Sequence, residues 1–122
     1  MRTVLVSTYE LGRQPFGLAS AAAWLRRAGA DVSAHDLSVH AFSADMLDGA
    51  ELVGVYVPMH TATRLAEPVI ERTRSMAPDA HIVAFGLYAS MNEGRLRGLG
   101  VDSVIAGEFE GRLVEIHDAI AA

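Results

Sequence analysis

Gly100-Val101-Asp102-Ser103-Val104-Ile105-Ala106-Gly107-Glu108-Phe109-Glu110 decides how this chain folds. A short β-type run over 102–106 empties through a Gly-Glu-Phe-Glu turn directly into the amphipathic pattern of a final helix over 109–121. In a doubly wound sheet, the segment just beyond a strand's carboxyl end is where ligands are held. Upstream, the same β-type signature recurs at 3–7, 31–35, 52–57 and 81–85. The intervals carry apolar residues at helical spacing. One such helix spans 16–28 and stops at Gly29, a C-cap signal, and another spans 61–76 and stops before Pro78. Short helical turns are expected at 43–47 and 92–97.

Five strands alternating with helices imply right-handed crossovers and a parallel sheet covered on both faces. The fold class is therefore α/β, Rossmann-type, with the flavodoxin-like strand order 2-1-3-4-5. Its switch point lies between the first and third strands, so a ligand would meet the loops beginning at Ser7 and Pro58, flanked by those at Gly86 and Gly107. No linker, low-complexity tract or internal repeat interrupts the pattern, and residues 1–122 read as one domain.

The composition excludes several chemistries. No apolar run is long enough to cross a membrane and no leader-like segment opens the chain, so a cytoplasmic protein is expected. With no cysteine there is no disulfide, zinc–thiolate site or cysteine-held iron–sulfur cluster. A net charge of −5 with scattered basic residues gives no stripe for nucleic acid. All 10 basic residues are arginine, so a P-loop lysine, a Schiff-base lysine and a receiver-domain lysine are missing.

Three loops carry the candidate chemistry. The first, Thr8-Tyr9-Glu10-Leu11-Gly12-Arg13-Gln14-Pro15, is long for a connection of this type; it reads as a binding loop or as an irregular surface loop in which Arg13 pairs with Glu10. The third, Val57-Pro58-Met59-His60-Thr61-Ala62-Thr63-Arg64, offers an imidazole that can ligate a metal or donate to a ligand, or that simply caps a helix, as Thr61 or Thr63 can. In the last, Glu108 and Glu110 are expected in a helix first turn, where they offset the dipole. Alternatively, the backbone of Gly107 approaches a flat ligand while Glu108 accepts hydrogen bonds from its amide or hydroxyl groups. Tyr9, Tyr56, Tyr88 and Phe109 fall at or beyond strand ends, where together they could wall a planar ligand, whereas Trp24, Leu25 and Met76 are expected to be packing residues. No catalytic residue is assigned.

The run from Gln14-Pro15-Phe16-Gly17-Leu18-Ala19 through Leu25-Arg26-Arg27-Ala28-Gly29-Ala30-Asp31-Val32 to Asp36-Leu37 resembles the first βαβ unit of cobalamin-binding domains in B12-dependent radical SAM enzymes. Gly107-Glu108-Phe109-Glu110 resembles that family's Gly-Glu-x-Glu signature. Pro58-Met59-His60-Thr61-Ala62-Thr63 and Phe85-Gly86-Leu87-Tyr88-Ala89-Ser90 fall where its third and fourth cofactor loops lie. The resemblance implies a corrin ring over the carboxyl edge of the sheet, with its nucleotide tail inserted beside the fourth and fifth strands. It places cofactor contacts at Tyr9, Glu10, Leu11, Gly12, Arg13, Gln14, Pro58, Met59, His60, Thr61, Thr63, Gly86, Leu87, Tyr88, Gly107, Glu108, Phe109 and Glu110. The related Asp-x-His-x-x-Gly motif here reads Ser7-Thr8-Tyr9-Glu10-Leu11-Gly12, so Tyr9 replaces the cobalt-ligating histidine and His60, Tyr9 or Met59 becomes the candidate for cobalt's lower face. The resemblance also implies a radical SAM barrel partner, in cis or in trans, that supplies the iron–sulfur cluster and SAM and meets a small-molecule substrate.

Where the family carries Gly-Gly after its fourth strand, this chain reads Phe85-Gly86, a phenyl group on the path of the nucleotide tail. The alternatives are accordingly a domain that serves protein–protein packing without cobalamin, or a flavodoxin-like FMN protein. The FMN reading is weakened by a first loop poor in phosphate-gripping donors. A receiver-like module is disfavoured because the third strand ends in Tyr56-Val57-Pro58 without a phosphoacceptor aspartate.

Overall fold

A computed structural model of the chain describes residues 2–8 and 16–122, apart from the side chains of Phe16 and His60. In chain order the elements are β1 (Arg2–Ser7), α1 (Phe16–Arg27), β2 (Asp31–Asp36), a 3-10 turn (Ala44–Leu47), β3 (Leu52–Tyr56), α2 (His60–Met76), β4 (His81–Phe85), α3 (Leu87–Met91), α4 (Glu93–Leu99), β5 (Ser103–Ile105) and α5 (Glu110–Ala121). The strands form one parallel sheet in the order β2-β1-β3-β4-β5, as expected from sequence. Ser7 at the end of β1 lies in register with Asp36 on one side and Tyr56 on the other, and Phe85 lies opposite Ile105. The carboxyl ends of the strands therefore share one edge.

Successive residues of a strand point to opposite faces, and both faces of a parallel sheet must be covered. Val4, Val6, Val53, Val55, Ile82 and Ala84 pack on the side of α2, α3 and α4, against Ala62, Ala66, Ile70, Ala89 and Leu96. Leu5, Leu52, Tyr56, Val83 and Phe85 pack on the other side, against Leu18, Ala21, Ala22 and Leu25 of α1 and Leu113 of α5. Leu18, Ala21, Ala22 and Leu25 make one helical stripe. Trp24, one residue off that stripe, is 44% exposed with the Arg27 guanidinium over its ring, and Met76 is equally exposed at the end of α2. Of the three expected packing residues only Leu25 is in the core.

Other departures are local. The fifth strand is shorter than 102–106 because the Asp102 side chain acts as a clamp. Its carboxylate accepts from the Ile82 N–H at 2.9 Å and pairs with Arg74. Arg74 also donates to the carbonyls of Pro78, Ala80 and Gly100, lacing together the loops at the amino ends of the strands, opposite the edge of interest. The final helix begins at Glu110, so only Glu110, and not Glu108, stands in its first turn. The positive-φ turn at Gly107 (φ 73°) spends two residues before helical geometry begins. Helix α3 was unexpected. It has five residues, with no side chain capping its start.

On β2, an edge strand, His35 Nε2 lies 3.0 Å from Ser33 Oγ. Partial burial, then the nearby charges of Arg2 and His40, hold its pKa below the usual 6.5. The unfolded chain therefore takes up this proton first as pH falls. Stability is expected to decrease below pH 6.5. A series of urea midpoints between neutral and mildly acidic pH should slope downward, and His35→Gln should flatten that part of the slope.

Candidate functional site at the carboxyl edge of the sheet

The edge is built by three exits. At the end of β4, Gly86 adopts φ 113°, and a Cβ there would lie 2.6 Å from the carbonyl oxygen of Val57. Only glycine lets the chain turn so close to the neighbouring strand. The contact is reinforced by hydrogen bonds from the Val57 N–H to the Phe85 carbonyl (2.7 Å) and from the Tyr88 N–H to the Val57 carbonyl (3.0 Å). Beyond β5, Gly107 also has positive φ, but the space where its Cβ would stand is open.

Between these exits lies a cleft of about 230 Å³. Tyr56 and Phe109 form its floor, and Pro58, Gly86, Leu87 and Ser90 its walls, with Gly107 at the far rim. Such a volume is below that of pockets that engulf a drug-sized ligand, roughly 300–1,000 Å³. A cleft of this size has room for only part of such a ligand.

The floor continues downward as an aromatic cluster. Tyr56 and Phe85 stack with ring centres 5.3 Å apart, and Phe109 tilts against Phe85 at 4.9 Å and Tyr56 at 5.8 Å. Two glycines make the room. A Cβ on Gly54 would lie 2.6 Å from Leu5 Cδ2 and 3.2 Å from Phe85 Cε1, and one on Gly17 would collide with the Tyr56 hydroxyl. Phe85 is completely buried. The space between the sheet and α1 and α5 below the cleft is thus occupied by three rings.

Of the residues expected to contact a ligand, the cleft unites Pro58, Gly86, Leu87, Gly107 and Phe109. Glu108 is exposed beside them, and Glu110 is half-buried at the start of α5. The structure places others elsewhere. Thr63 is buried with its hydroxyl donating to the Met59 carbonyl (3.4 Å), and Met59 packs against the α2-side core. Thr61 is exposed on α2 and caps nothing, because the residue preceding the helix is Met59. Tyr88 also packs against the α2-side core and is not among the described residues that line the cleft. Tyr9, Glu10, Leu11, Gly12, Arg13 and Gln14 lie outside the described residues, as does the His60 side chain. The Thr8 hydroxyl is committed to the Ala62 carbonyl at 3.1 Å, and the buried Ser7 Oγ has no hydrogen-bond partner among the described residues. Among those residues no three His, Cys, Asp or Glu side chains gather to hold a metal. Ser90, inside the segment expected to form the fourth cofactor loop but not among the expected contacts, joins the lining from helix α3.

The cleft opens at the strands' carboxyl edge, where α/β modules hold ligands, but over the ends of β3, β4 and β5, to one side of the expected switch point between β1 and β3. This chain belongs to the B12-binding domain family, whose model, "B12 binding domain", matches residues 2–117. No curated protein matches it. Among solved structures it is similar to a flavodoxin from the domain Archaea, at 13% identity and a TM-score of 0.70 over 100% of both chains. A BeF3-activated DrrB receiver domain matches at 11% identity and TM-score 0.69, covering 98% of this chain and 96% of that one. A LuxR-family DNA-binding response regulator from Staphylococcus aureus matches at 11% and 0.68 over 100% of both chains. These likenesses establish the flavodoxin-like fold.

The site fits cobalamin in one part and not in another. The rim suits the broad face of a corrin, since Gly86 and Gly107 raise no side chain, Leu87 is 68% exposed as an apolar contact, and Ser90 and the exposed Glu108 can accept from peripheral amides. The interior beside β4 and β5, where the resemblance puts the nucleotide tail, is filled by Phe85 and its two aromatic neighbours.

Proposed function

We propose that this chain is the cofactor-holding part of a B12-dependent radical SAM enzyme, seating cobalamin on the carboxyl edge of its sheet. The observation that carries this reading is the cleft between Pro58, Gly86 and Gly107, open above an aromatic floor, in a chain whose family is that of B12-binding domains. Bound cobalamin would supply the cobalt chemistry of the reaction. The chain's own residues hold and orient. Gly86 and Gly107 let the ring approach the backbone, Tyr56 and Phe109 provide an apolar base that excludes water, and Glu108 accepts hydrogen bonds at the perimeter. The chain has no cysteine, so the iron–sulfur cluster and SAM belong to a partner barrel domain, in cis or in trans, which also meets the small-molecule substrate. All 122 residues act as one such unit.

A second reading, a domain that only packs against a partner, draws support from the filled interior and from Leu87 and Met91, 68% and 67% exposed on α3. Gel filtration after incubation with hydroxocobalamin separates the two. Corrin absorbance eluting with the protein is the expected result, and a colourless protein at saturating cofactor favours packing alone. A parallel incubation with FMN should leave the protein colourless, since the sequence of the loop after β1 is poor in phosphate-gripping donors.

A further inference from the structure

We infer that a cobalamin held by this chain keeps its nucleotide tail outside the fold, with the tail's own base still bound beneath cobalt. This inference rests on the cobalamin reading proposed above. For the tail to enter between the sheet and the α1/α5 layer, the rings under the cleft would have to leave. Phe85 has no exposed surface and Tyr56 is 8% exposed. The two stack on one another, and Phe109 closes over both. The packing is matched across the layer rather than incidental, because Gly54 leaves the space that Leu5 and, less closely, Phe85 share, and Gly17 leaves the space that the Tyr56 hydroxyl fills. A close-packed core has no spare volume for a heterocycle.

What the surface offers instead is the shallow cleft of about 230 Å³ above Tyr56 and Phe109. Among the described residues that volume is below the roughly 300–1,000 Å³ of pockets that engulf even a drug-sized ligand, and so below what the nucleotide tail would need. A base that stays on the metal needs no room inside the fold, so the filled interior does not oppose it. The lower position of cobalt is then filled from the cofactor, and no side chain of the chain is required for it.

The visible spectrum of methylcobalamin tests this, because the base-on form is red and the base-off form yellow. The full chain, loaded with methylcobalamin and freed of unbound cofactor, should elute red, with an unshifted base-on spectrum. A yellow base-off complex overturns the inference while leaving cobalamin binding intact. A protein that retains no corrin overturns the cobalamin reading itself and the inference with it. Phe85→Ala and, should that variant fail to fold, Phe109→Ala remove part of the plug. A shift of the bound spectrum toward base-off in the folded variants is expected. Red complexes in both folded variants would show that the rings are not what keeps the tail out, and would overturn the argument.

Discussion

Phe85→Ala lowers the stability of the fold by about 3–5 kcal/mol, the range for deleting a fully buried phenyl group. Several losses combine. The ring's apolar surface returns part of its transfer free energy. Its stacked contact with Tyr56 at 5.3 Å and its tilted contact with Phe109 at 4.9 Å disappear. The cavity cannot readily collapse, because the wall opposite is Gly54, which has no side chain to move, flanked by the rigid strands β3 and β4. Domains of this size are stable by only about 5–15 kcal/mol, so this single change removes a large share of the total. Urea unfolding followed by circular dichroism measures it. A loss below about 1 kcal/mol would mean that the aromatic cluster is not a packed unit.

The second large effect is at Gly86→Ala. The backbone there has φ 113°, and the added methyl would stand 2.6 Å from the Val57 carbonyl oxygen and 2.8 Å from its carbon. With ψ at 169° this is an essentially glycine-only region, where side chains are strained by roughly 1–3 kcal/mol, and forcing an atom into packed surroundings adds roughly 1–3 kcal/mol. The obstacle is backbone that itself carries hydrogen bonds, from Tyr88 to Val57 and from Val57 to Phe85, so it cannot yield as a flexible side chain would. A loss of about 3 kcal/mol is expected in urea unfolding. Because Gly86 also walls the cleft, corrin retention should weaken even in the fraction that stays folded. By contrast Gly107→Ala meets no atom within 4 Å, and its cost is confined to the positive φ of 73°.

Much of the fold is legible in the sequence because β-branched runs bounded by turn residues mark the strands, and β4 falls at His81–Phe85 as the pattern predicts. The alternation of strands and helices implies a parallel sheet, and the order found is the flavodoxin-like one expected for five strands. The boundaries that shifted did so where a side chain took over backbone bonding, as Asp102 does at the start of β5, or where a glycine turn delayed a helix, as Gly107 does before α5. Helix α3 was invisible because five residues without a capping side chain carry no periodicity to read.

The rim of the site was legible from glycines and a proline at strand ends. Its floor was only half so. Tyr56 and Phe109 announce themselves as strand-end aromatics, but the role of Phe85 depends on Gly54 and Gly17, which come together only once β3, β4 and α1 are packed. That Tyr88 packs against the α2-side core while Leu87 and Ser90 line the cleft likewise depends on the turn of α3.

Addition of hydroxocobalamin to isotopically labelled protein, followed residue by residue through backbone amide chemical shifts, tests the location of the cofactor most directly. Perturbations concentrated at Gly86, Leu87, Ser90, Gly107, Glu108 and Phe109, with the Arg74 lacing at the opposite end unmoved, are the predicted result. Perturbations centred instead on that opposite end, around Gly49, Ala77 and Ala80, or no change at saturating cofactor, would contradict it.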